Sequence, residues 1–201
     1  LAMRLLSAEA RVDGQRLRRG QLEDEDWQRL SYGLGRLSEA PLYIDDSPTL
    51  TALDIRARSR RLKAEAGLGL IVIDYLQLVQ GRARSENRQQ EIAEITRSLK
   101  ALARELKVPV VALAQLSRAV ETAAERRPLL SHLKESGEIE TAADVVAFIY
   151  REDYYNQNTQ KKNVAEIIVA KQRNGPTGSV ELMWRKEFTR FENLERYQKP
   201  S

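Results

Sequence analysis

The stretch LGLIVIDYLQL, from Leu68 to Leu78, predicts a buried β-strand that ends in a carboxylate. Its apolar residues are mostly leucine and β-branched, a composition typical of strands that are covered on both faces of a sheet. Asp74 is the only charged residue of the stretch, and it stands where the apolar run stops. We therefore expect a strand over Leu70–Ile73 that presents Asp74 at its carboxyl end.

Helices and further strands alternate around this stretch. NRQQEIAEITRSLKALARELK predicts a long helix, because its apolar residues recur at helical spacing along one face. VPVVALAQL then predicts another buried strand. Upstream, PLYIDD predicts a brief strand, and SPTLTALDIRARSRRLKAEAG predicts a capped helix that ends at Gly67. This order indicates an α/β fold with a mostly parallel sheet flanked by helices.

The two ends of the chain differ from this α/β core. Helical periodicity covers Leu1–Ala10 and Asp24–Ser38, and the polar segment RVDGQRLRRGQLEDED connects them. Near the other end, VVAFIYR, VAEIIVAKQR and SVELMWR predict three strands, with a hairpin turn at NGPTG. We expect one domain over residues 1–201, with a helical leading segment at 1–40. The sheet core at 41–201 would end in antiparallel strands.

Composition narrows the class of protein. The 201 residues are 42% hydrophobic, which is enough to bury a core, and no apolar run has the length of a membrane span. The chain has no cysteine, which excludes disulfides and thiolate metal sites and agrees with a cytoplasmic location. A net charge of +4 makes a polyanionic partner a reasonable hypothesis.

Polar residues collect at the ends of the predicted strands, where α/β sheets bind their ligands. Asp74 ends one strand, Gln115 ends the next, and Lys171 and Arg173 end a later one. Side chains alternate along a strand, so Lys171 and Arg173 point the same way and could converge on one anion. An apolar strand that ends in Asp matches the Walker B pattern, in which the carboxylate holds Mg²⁺ beside nucleotide phosphates. The alternatives are a turn-forming Asp, a strand-end amide and a solvated sheet edge.

The segment LSRAVETAAERRPLLSHLKESGEIETAADVV offers a second kind of site. Ser136 and Gly137 precede a predicted short helix, and backbone amides there, with a neighbouring Lys, could clamp phosphates without reading sequence. A flexible surface loop is the alternative. His132, the only histidine, is expected in an exposed loop, and Tyr154 and Tyr155 in a polar loop rather than on a stacking surface.

Five segments, taken in order, match one family pattern, and GQLEDEDWQRL and LYIDDSPTLT upstream match the same pattern, so that the likeness covers nearly the whole chain. The five segments are GLIVIDYLQL, ENRQQEIAEITRSLKALARELKVPVVALAQLSR, RRPLLSHLKESGEIE, FIYREDYYN and AEIIVAKQRNGPTGSVEL. Together they resemble the DnaB-type replicative DNA helicases, and IDYLQL and KQRNGP are the most specific parts. The resemblance implies a RecA-like ATPase core that works as a hexameric ring around single-stranded DNA, with ATP and Mg²⁺ between subunits. It also implies a helicase loader and primase as partners.

The resemblance implies a role for each polar residue singled out above. Asp74 matches the Walker B acid that holds Mg²⁺, and Gln115 matches the glutamine that relays nucleotide state to the DNA-binding loops. Lys171 and Arg173 match the pair that reaches the neighbouring subunit's ATP, with Arg173 as the arginine finger. The residues implied to hold the DNA phosphates are Lys134, Glu135 and Gly137.

The sequence departs from the family pattern in two ways. Where the family commonly has SDLRESGSIEQDAD, this chain has SHLKESGEIETAAD, so that His132 replaces an acid, Lys134 replaces Arg and Glu138 replaces Ser. Lysine can meet a phosphate but lacks the bidentate fork of arginine. The 201 residues contain no G-x-x-x-x-G-K-[ST] P-loop, which in the family lies upstream of the position of Leu1. We therefore expect a fragment of a helicase motor that hydrolyses no ATP by itself.

Two alternative functions stay open from the sequence. The first is a RecA-type recombinase or a clock-type ATPase of the same fold, which IDYLQL and KQRNGP disfavour and which strand-exchange assays would separate from a helicase. The second is a non-enzymatic module that binds DNA or a helicase loader. If the upstream sequence of the same reading frame lacked a P-loop, this second alternative would lead.

Overall fold

The computed structural model describes residues 1–81, 88–117, 119–122 and 126–194, without the side chains of residues 121, 122 and 134–136. The helices are α1 (Ala2–Ala10), α2 (Gly14–Arg19), α3 (Asp24–Glu39), α4 (Ala52–Ala66), α5 (Arg88–Leu106), α6 (Ala119–Thr122), α7 (Gly137–Ala142) and α8 (Glu152–Tyr155). The strands are β1 (Leu50–Thr51), β2 (Ile71–Ile73), β3 (Val79–Gln80), β4 (Val110–Ala112), β5 (Val145–Tyr150), β6 (Val164–Gln172), β7 (Gly178–Arg185) and β8 (Arg190–Asn193). Two 3₁₀ helices cover Leu76–Leu78 and Leu130–Ser136. None of the helices in these ranges is long and apolar enough to span a bilayer.

The chain divides into two compact units. The first contains Leu1–Ile44, Phe148–Ile168 and the residues from Gly178 onward, and the second contains Asp45–Ala147 and Val169–Thr177. Every residue predicted to bind nucleotide or DNA belongs to the second unit. The predicted single domain, with its division into 1–40 and 41–201, stays a prediction.

In the first unit, α1 packs against α3. Their contact is centred on the buried residues Ala10, Val12 and Leu30. Gly33 of α3 lies at this contact, where a Cβ would stand only 3.1 Å from the Cβ of Ala10. The predicted polar connector between the two helices is partly wrong, because it contains α2. Asp13 caps that helix by accepting hydrogen bonds from two backbone N–H groups of its first turn.

The second unit is built on α5. One face of this helix is buried at helical spacing, through Ile92, Ile95, Leu99, Leu102 and Leu106. Helix α4 packs against α5; it begins after the cap Thr51 and ends at Gly67, whose φ of +80° suits glycine. Strand β1 pairs with β3 and β2 pairs with β4, both in parallel. The predicted α/β class with parallel strands is therefore confirmed.

Three predictions about these strands are wrong. VPVVALAQL forms only the three-residue β4, in which no residue is buried and Val111 is 46% exposed. PLYIDD forms no strand, and its apolar residues Leu42, Tyr43 and Ile44 are all exposed, so pairing there would bury nothing. The parallel strand before α4 is instead the two-residue β1. In β2 only Ile73 is buried, while Val72 is 58% exposed. Within the described ranges, this strand is thus not covered on both faces.

The carboxyl-terminal strands form a four-stranded sheet in the order β5, β6, β7, β8. Strands β7 and β8 are antiparallel, and Trp184 pairs with Phe191 across them, with ring centroids 4.7 Å apart. The predicted antiparallel strands are confirmed, and β8 is an addition to them. Tyr154 and Tyr155 lie in α8 rather than in a polar loop, and their rings meet edge to face at 5.2 Å.

Candidate nucleotide and DNA site

The parallel pairing of β2 with β4 brings Asp74 and Gln115 to one edge of the two strands. Two backbone hydrogen bonds continue the pairing past the strand ends. Leu113 N donates to Ile73 O at 2.9 Å, and Leu76 N donates to Leu113 O at 2.8 Å. The carboxyl ends of parallel strands are where α/β folds bind ligands. Asp74 thus follows β2 directly, as expected, whereas Gln115 lies beyond Ala112, the last residue of β4. Their roles stay predictions.

The turn that carries Asp74 has one exposed residue, Asp74 itself, and one residue buried in the core, Leu76. Asp74 itself is exposed, and among the described side chains its carboxylate has no ion-pair partner. Leu76, two residues further on, is 2% exposed and belongs to the core cluster around α5. A single accessible carboxylate on an anchored turn fits Mg²⁺, which typically takes one or two protein carboxylates and completes its shell with water and phosphate oxygens.

Gln77 holds the backbone of Gln115. Its Nε2 donates to Gln115 O at 3.4 Å, and its Oε1 accepts from Gln115 N at 3.3 Å. Both distances are long for hydrogen bonds, so this reciprocal pair is a weak one. The carbonyl of Gln77 also accepts a hydrogen bond from Arg88 Nη2 at 2.6 Å. The sequence analysis missed Gln77, because one amide inside an apolar run has no spacing that distinguishes it.

Lys171 and Arg173 meet at the carboxyl-terminal end of α7. Lys171 Nζ donates to the carbonyl oxygen of Glu140 and, at 3.3 Å, to that of Thr141. Arg173 Nη2 donates to the same Thr141 oxygen at 2.6 Å. The two side chains thus converge on one carbonyl oxygen, while the predicted convergence on an anion stays a prediction. The last carbonyls of a helix lack partners within it and carry partial negative charge, which favours bound cations.

Asp144 adds a carboxylate to this cluster. Its carbonyl accepts from Arg173 N at 2.9 Å, and its Oδ1 lies 3.7 Å from Arg173 Nε. Lys100 forms an ion pair with the other carboxylate oxygen. The hydrogen bond from Lys100 lowers the pKa of Asp144 below its ordinary value, and the positive charges of Lys100 and Arg173 act in the same direction. Sequence reasoning missed this group, because Lys100 is 44 residues distant along the chain.

The predicted DNA-binding segment is only partly described. Gly137 begins α7, as expected for a short helix at this point, and the backbone before it forms a 3₁₀ helix. The side chains of Lys134 and Glu135 lie outside the described part of the chain, so their roles stay predictions. His132 lies in the 3₁₀ helix, where its Nδ1 accepts from Leu129 N at 2.9 Å. It is partly buried, so the expectation of an exposed loop histidine was wrong.

Known proteins resemble this chain along almost its whole length. The family model for the DnaB-like helicase C terminal domain matches residues 1–193. The replicative DNA helicase DnaB of Geobacillus stearothermophilus is 60% identical over 197 residues, which are 98% of this chain. The replicative DNA helicase DnaC of Bacillus subtilis (strain 168) is 56% identical over the same share of the chain. The chain spans 43% of the length of each of these relatives.

Two solved structures have the same fold. One is an ATPase domain, which superposes with a TM-score of 0.91 at 39% identity, covering 96% of this chain and 69% of that one. A DnaB-like replicative helicase, described together with its interactions with primase, superposes with a TM-score of 0.92 at 39% identity, covering 96% of this chain and 47% of that one. These similarities confirm the predicted RecA-like fold. The chain therefore belongs to the family of DnaB-like helicase C-terminal domains.

Proposed function

We propose that this chain is part of a ring-shaped replicative DNA helicase that couples ATP hydrolysis to movement along single-stranded DNA and to duplex unwinding. One observation carries the proposal. Asp74 and Gln115 both follow the carboxyl ends of the paired parallel strands β2 and β4, in a chain of this family. The family match favours a helicase over a recombinase of the same fold. Because the chain spans less than half of its curated relatives, the activity is proposed for the intact protein.

On this proposal, Asp74 and Gln115 serve ATP bound at their own strand edge. Asp74 would hold Mg²⁺, which when bound neutralises charge on the phosphates. The buried Leu76 fixes the turn that carries the carboxylate, so the acid is positioned before the nucleotide binds. The exposed side chain of Gln115 stands on a backbone that Gln77 holds, which suits a residue that relays nucleotide state.

Lys171 and Arg173 serve the ATP of the neighbouring subunit in the ring. Among the described contacts neither cation pairs with Asp74, and both rest on carbonyls of α7. These carbonyls are neutral acceptors, whereas phosphate oxygens are charged and form hydrogen bonds about twice as strong. Arg173 Nε also lies 3.7 Å from Asp144 Oδ1, so transfer to a neighbouring phosphate would exchange this ion pair and one carbonyl for charged phosphate oxygens. An arginine finger placed in this way contributes a factor of about 10³ to 10⁵ in rate.

Lys134, Glu135 and Gly137 would hold the phosphates of single-stranded DNA. A Cβ built on Gly137 meets no atom within 4 Å, so the space beside it is open to a close backbone. Contacts to phosphate position a protein on nucleic acid without reading its sequence, as a translocating motor requires. A helicase loader and primase are the further partners that we propose, together with a cytoplasmic location.

The test is Arg173→Ala in the intact protein. DNA-stimulated ATP hydrolysis should fall by about 10³-fold or more while nucleotide binding stays nearly normal, because the finger acts on the transition state. Arg61→Ala is the matched control, since Arg61 is an exposed arginine paired with Glu65 on α4. Mixing Arg173→Ala subunits with subunits that have an intact finger but an inactive P-loop should restore hydrolysis. Failure of this rescue would contradict the action on a neighbour.

A further inference from the structure

Helix α7 lies between two parts of the proposed machinery. It begins at Gly137, a proposed DNA contact, and its later residues Glu140 and Thr141 hold Lys171 and Arg173 through their carbonyls. With six residues, the helix is too short to be stable by itself. Its position therefore depends on what it packs against.

Helix α5 holds α7 at both ends. Arg97 Nη1 lies 3.2 Å from Glu138 Oε1 in the first turn of α7, and Lys100 pairs with Asp144 just beyond its last turn. Arg97 and Lys100 are three residues apart, so they lie on the same face of α5. Between the two ion pairs, Ile139 packs against the core that α5 forms. One apolar contact and two ion pairs thus fix α7 on α5.

Asp144, a member of the Lys100–Asp144 ion pair, also contacts the proposed arginine finger Arg173. Asp144 holds the backbone N–H of Arg173 through its carbonyl, and its carboxylate lies beside the guanidinium. The hydrogen bond from Lys100 lowers the pKa of Asp144, so Lys100 stabilises the charged form of the carboxylate that lies beside Arg173. A shift of α7 along α5 would move the Thr141 carbonyl that accepts a hydrogen bond from Arg173.

The Arg97–Glu138 ion pair joins α5 to the first turn of α7 at the protein surface. The Arg97 side chain is 60% exposed and that of Glu138 is 36% exposed. Exposed ion pairs contribute little to folding stability. A pair at one end of a short helix can still bias the position of that helix.

We propose that the pairs Arg97–Glu138 and Lys100–Asp144 make α7 a positioning element that links DNA contact at Gly137 to Arg173. These four side chains then determine how strongly single-stranded DNA stimulates ATP hydrolysis. The inference rests on the proposed function, since it assumes that Arg173 is the finger and that DNA lies at Gly137.

The test breaks the Arg97–Glu138 pair from each side in the intact protein. Glu138→Gln and Arg97→Gln should each lower the ratio of ATP turnover with and without single-stranded DNA by about two- to fivefold, the range of an exposed ion pair. The KM for ATP should stay unchanged. The double variant should lose no more than either single variant, because both remove the same interaction. The loss should shrink at high salt, which screens the pair in the unmodified protein.

Two controls distinguish the loss of this ion pair from a general effect of removing a charge. Glu65→Gln removes a carboxylate that is also paired with an arginine, at 2.8 Å on α4, and should leave the ratio unchanged. Glu138→Gln removes the ion pair and also a negative charge that interacts favourably with the helix dipole at the start of α7. Arg97→Gln removes only the ion pair. The inference would be overturned if Arg97→Gln left the stimulation of ATP turnover by single-stranded DNA unchanged. Additive losses in the double variant would also overturn it. If Arg173→Ala leaves hydrolysis intact, the proposed function itself is wrong, whatever the Glu138 variant does.

Discussion

The anchoring of the Asp74 turn leads to a sharp comparison between two leucines. Leu76 and Leu78 lie in the same 3₁₀ helix, but their exposures are 2% and 54%. We therefore expect Leu76→Ala to destabilise the unit that carries Asp74 far more than Leu78→Ala. The two variants remove the same atoms from the same element, so differences in local conformational preference largely cancel.

The magnitude follows from the burial of each side chain. Truncation of a buried leucine loses its transfer free energy and leaves a cavity, at a cost of about 2–5 kcal/mol. Leu76 is among the largest fully buried side chains and packs in the cluster with Ile73 and Ile95, so we expect about 3–5 kcal/mol. Full burial of a leucine is worth about 1.5–3 kcal/mol, and Leu78 is already more than half exposed, so its loss should cost about 1 kcal/mol or less.

Urea unfolding of the 201-residue chain, followed by far-ultraviolet circular dichroism, measures this difference. With a slope of about 2 kcal/mol per molar urea, Leu76→Ala should lower the midpoint by about 1.5–2.5 M and Leu78→Ala by about 0.5 M or less. In the intact protein, Leu76→Ala should also slow ATP hydrolysis at urea concentrations too low to unfold it. A displacement of the Asp74 carboxylate by about 1 Å can cost about 10²-fold in rate. Equal midpoints for the two variants would refute the anchoring of the Asp74 turn by Leu76.

Three further predictions concern other parts of the chain. The 201 residues alone should hydrolyse no ATP above background, since they contain no P-loop cradle; phosphate release that disappears in Asp74→Asn would contradict this. Gly33→Ala places a Cβ 3.2 Å from the α1 backbone, whereas Gly35→Ala meets nothing within 4 Å. The first variant should be about 1–3 kcal/mol less stable than the second, and equal urea midpoints would exclude the close contact. A hydrogen bond from Ser47 is the main cause that lowers the pKa of Asp45 from 3.8 to about 2. Ser47→Ala should therefore raise that pKa in a ¹³C NMR titration, and an unchanged value would exclude Ser47 as the cause. Because the folded pKa is depressed, this carboxylate stabilises the fold above the unfolded pKa and loses its effect as the pH falls toward 2.

The parts of the site that follow local rules could be predicted from the sequence. The position of Asp74 directly after β2 was predicted correctly, because a continuous apolar run marks the strand, whereas Gln115 lies beyond the end of β4. The convergence of Lys171 and Arg173 follows from the two-residue period of a strand. Helix α5 was evident because its buried residues recur at helical spacing over five turns.

The remaining features of the fold and the site depend on contacts between residues that are distant in the sequence. PLYIDD has the apolar letters of a strand, but only tertiary structure decides that Leu42 and Ile44 stay exposed. The pairing of Lys100 with Asp144 joins residues that no local pattern relates. Helix α2 is different, because its signals were present in the sequence. Asp13 caps the helix and Gly20 ends it. Its residues are mostly polar, so the sequence shows no apolar repeat at helical spacing.

The separation of Asp74 from Lys171 and Arg173 supports a site that two chains complete. In the described part of the chain, the acid pairs with neither cation, and both cations rest on backbone carbonyls of α7. If the acid and the arginine were paired, the carboxylate would attract Mg²⁺ less strongly, and the guanidinium would be neutralised before it met a phosphate. Their separation leaves the Asp74 carboxylate available to a metal, whereas the Arg173 guanidinium, 3.7 Å from the Asp144 carboxylate, would exchange that partner for a phosphate. On the proposed function, each chain contributes its acid to one ATP and its cations to the next, so a closed ring has one complete site at every interface.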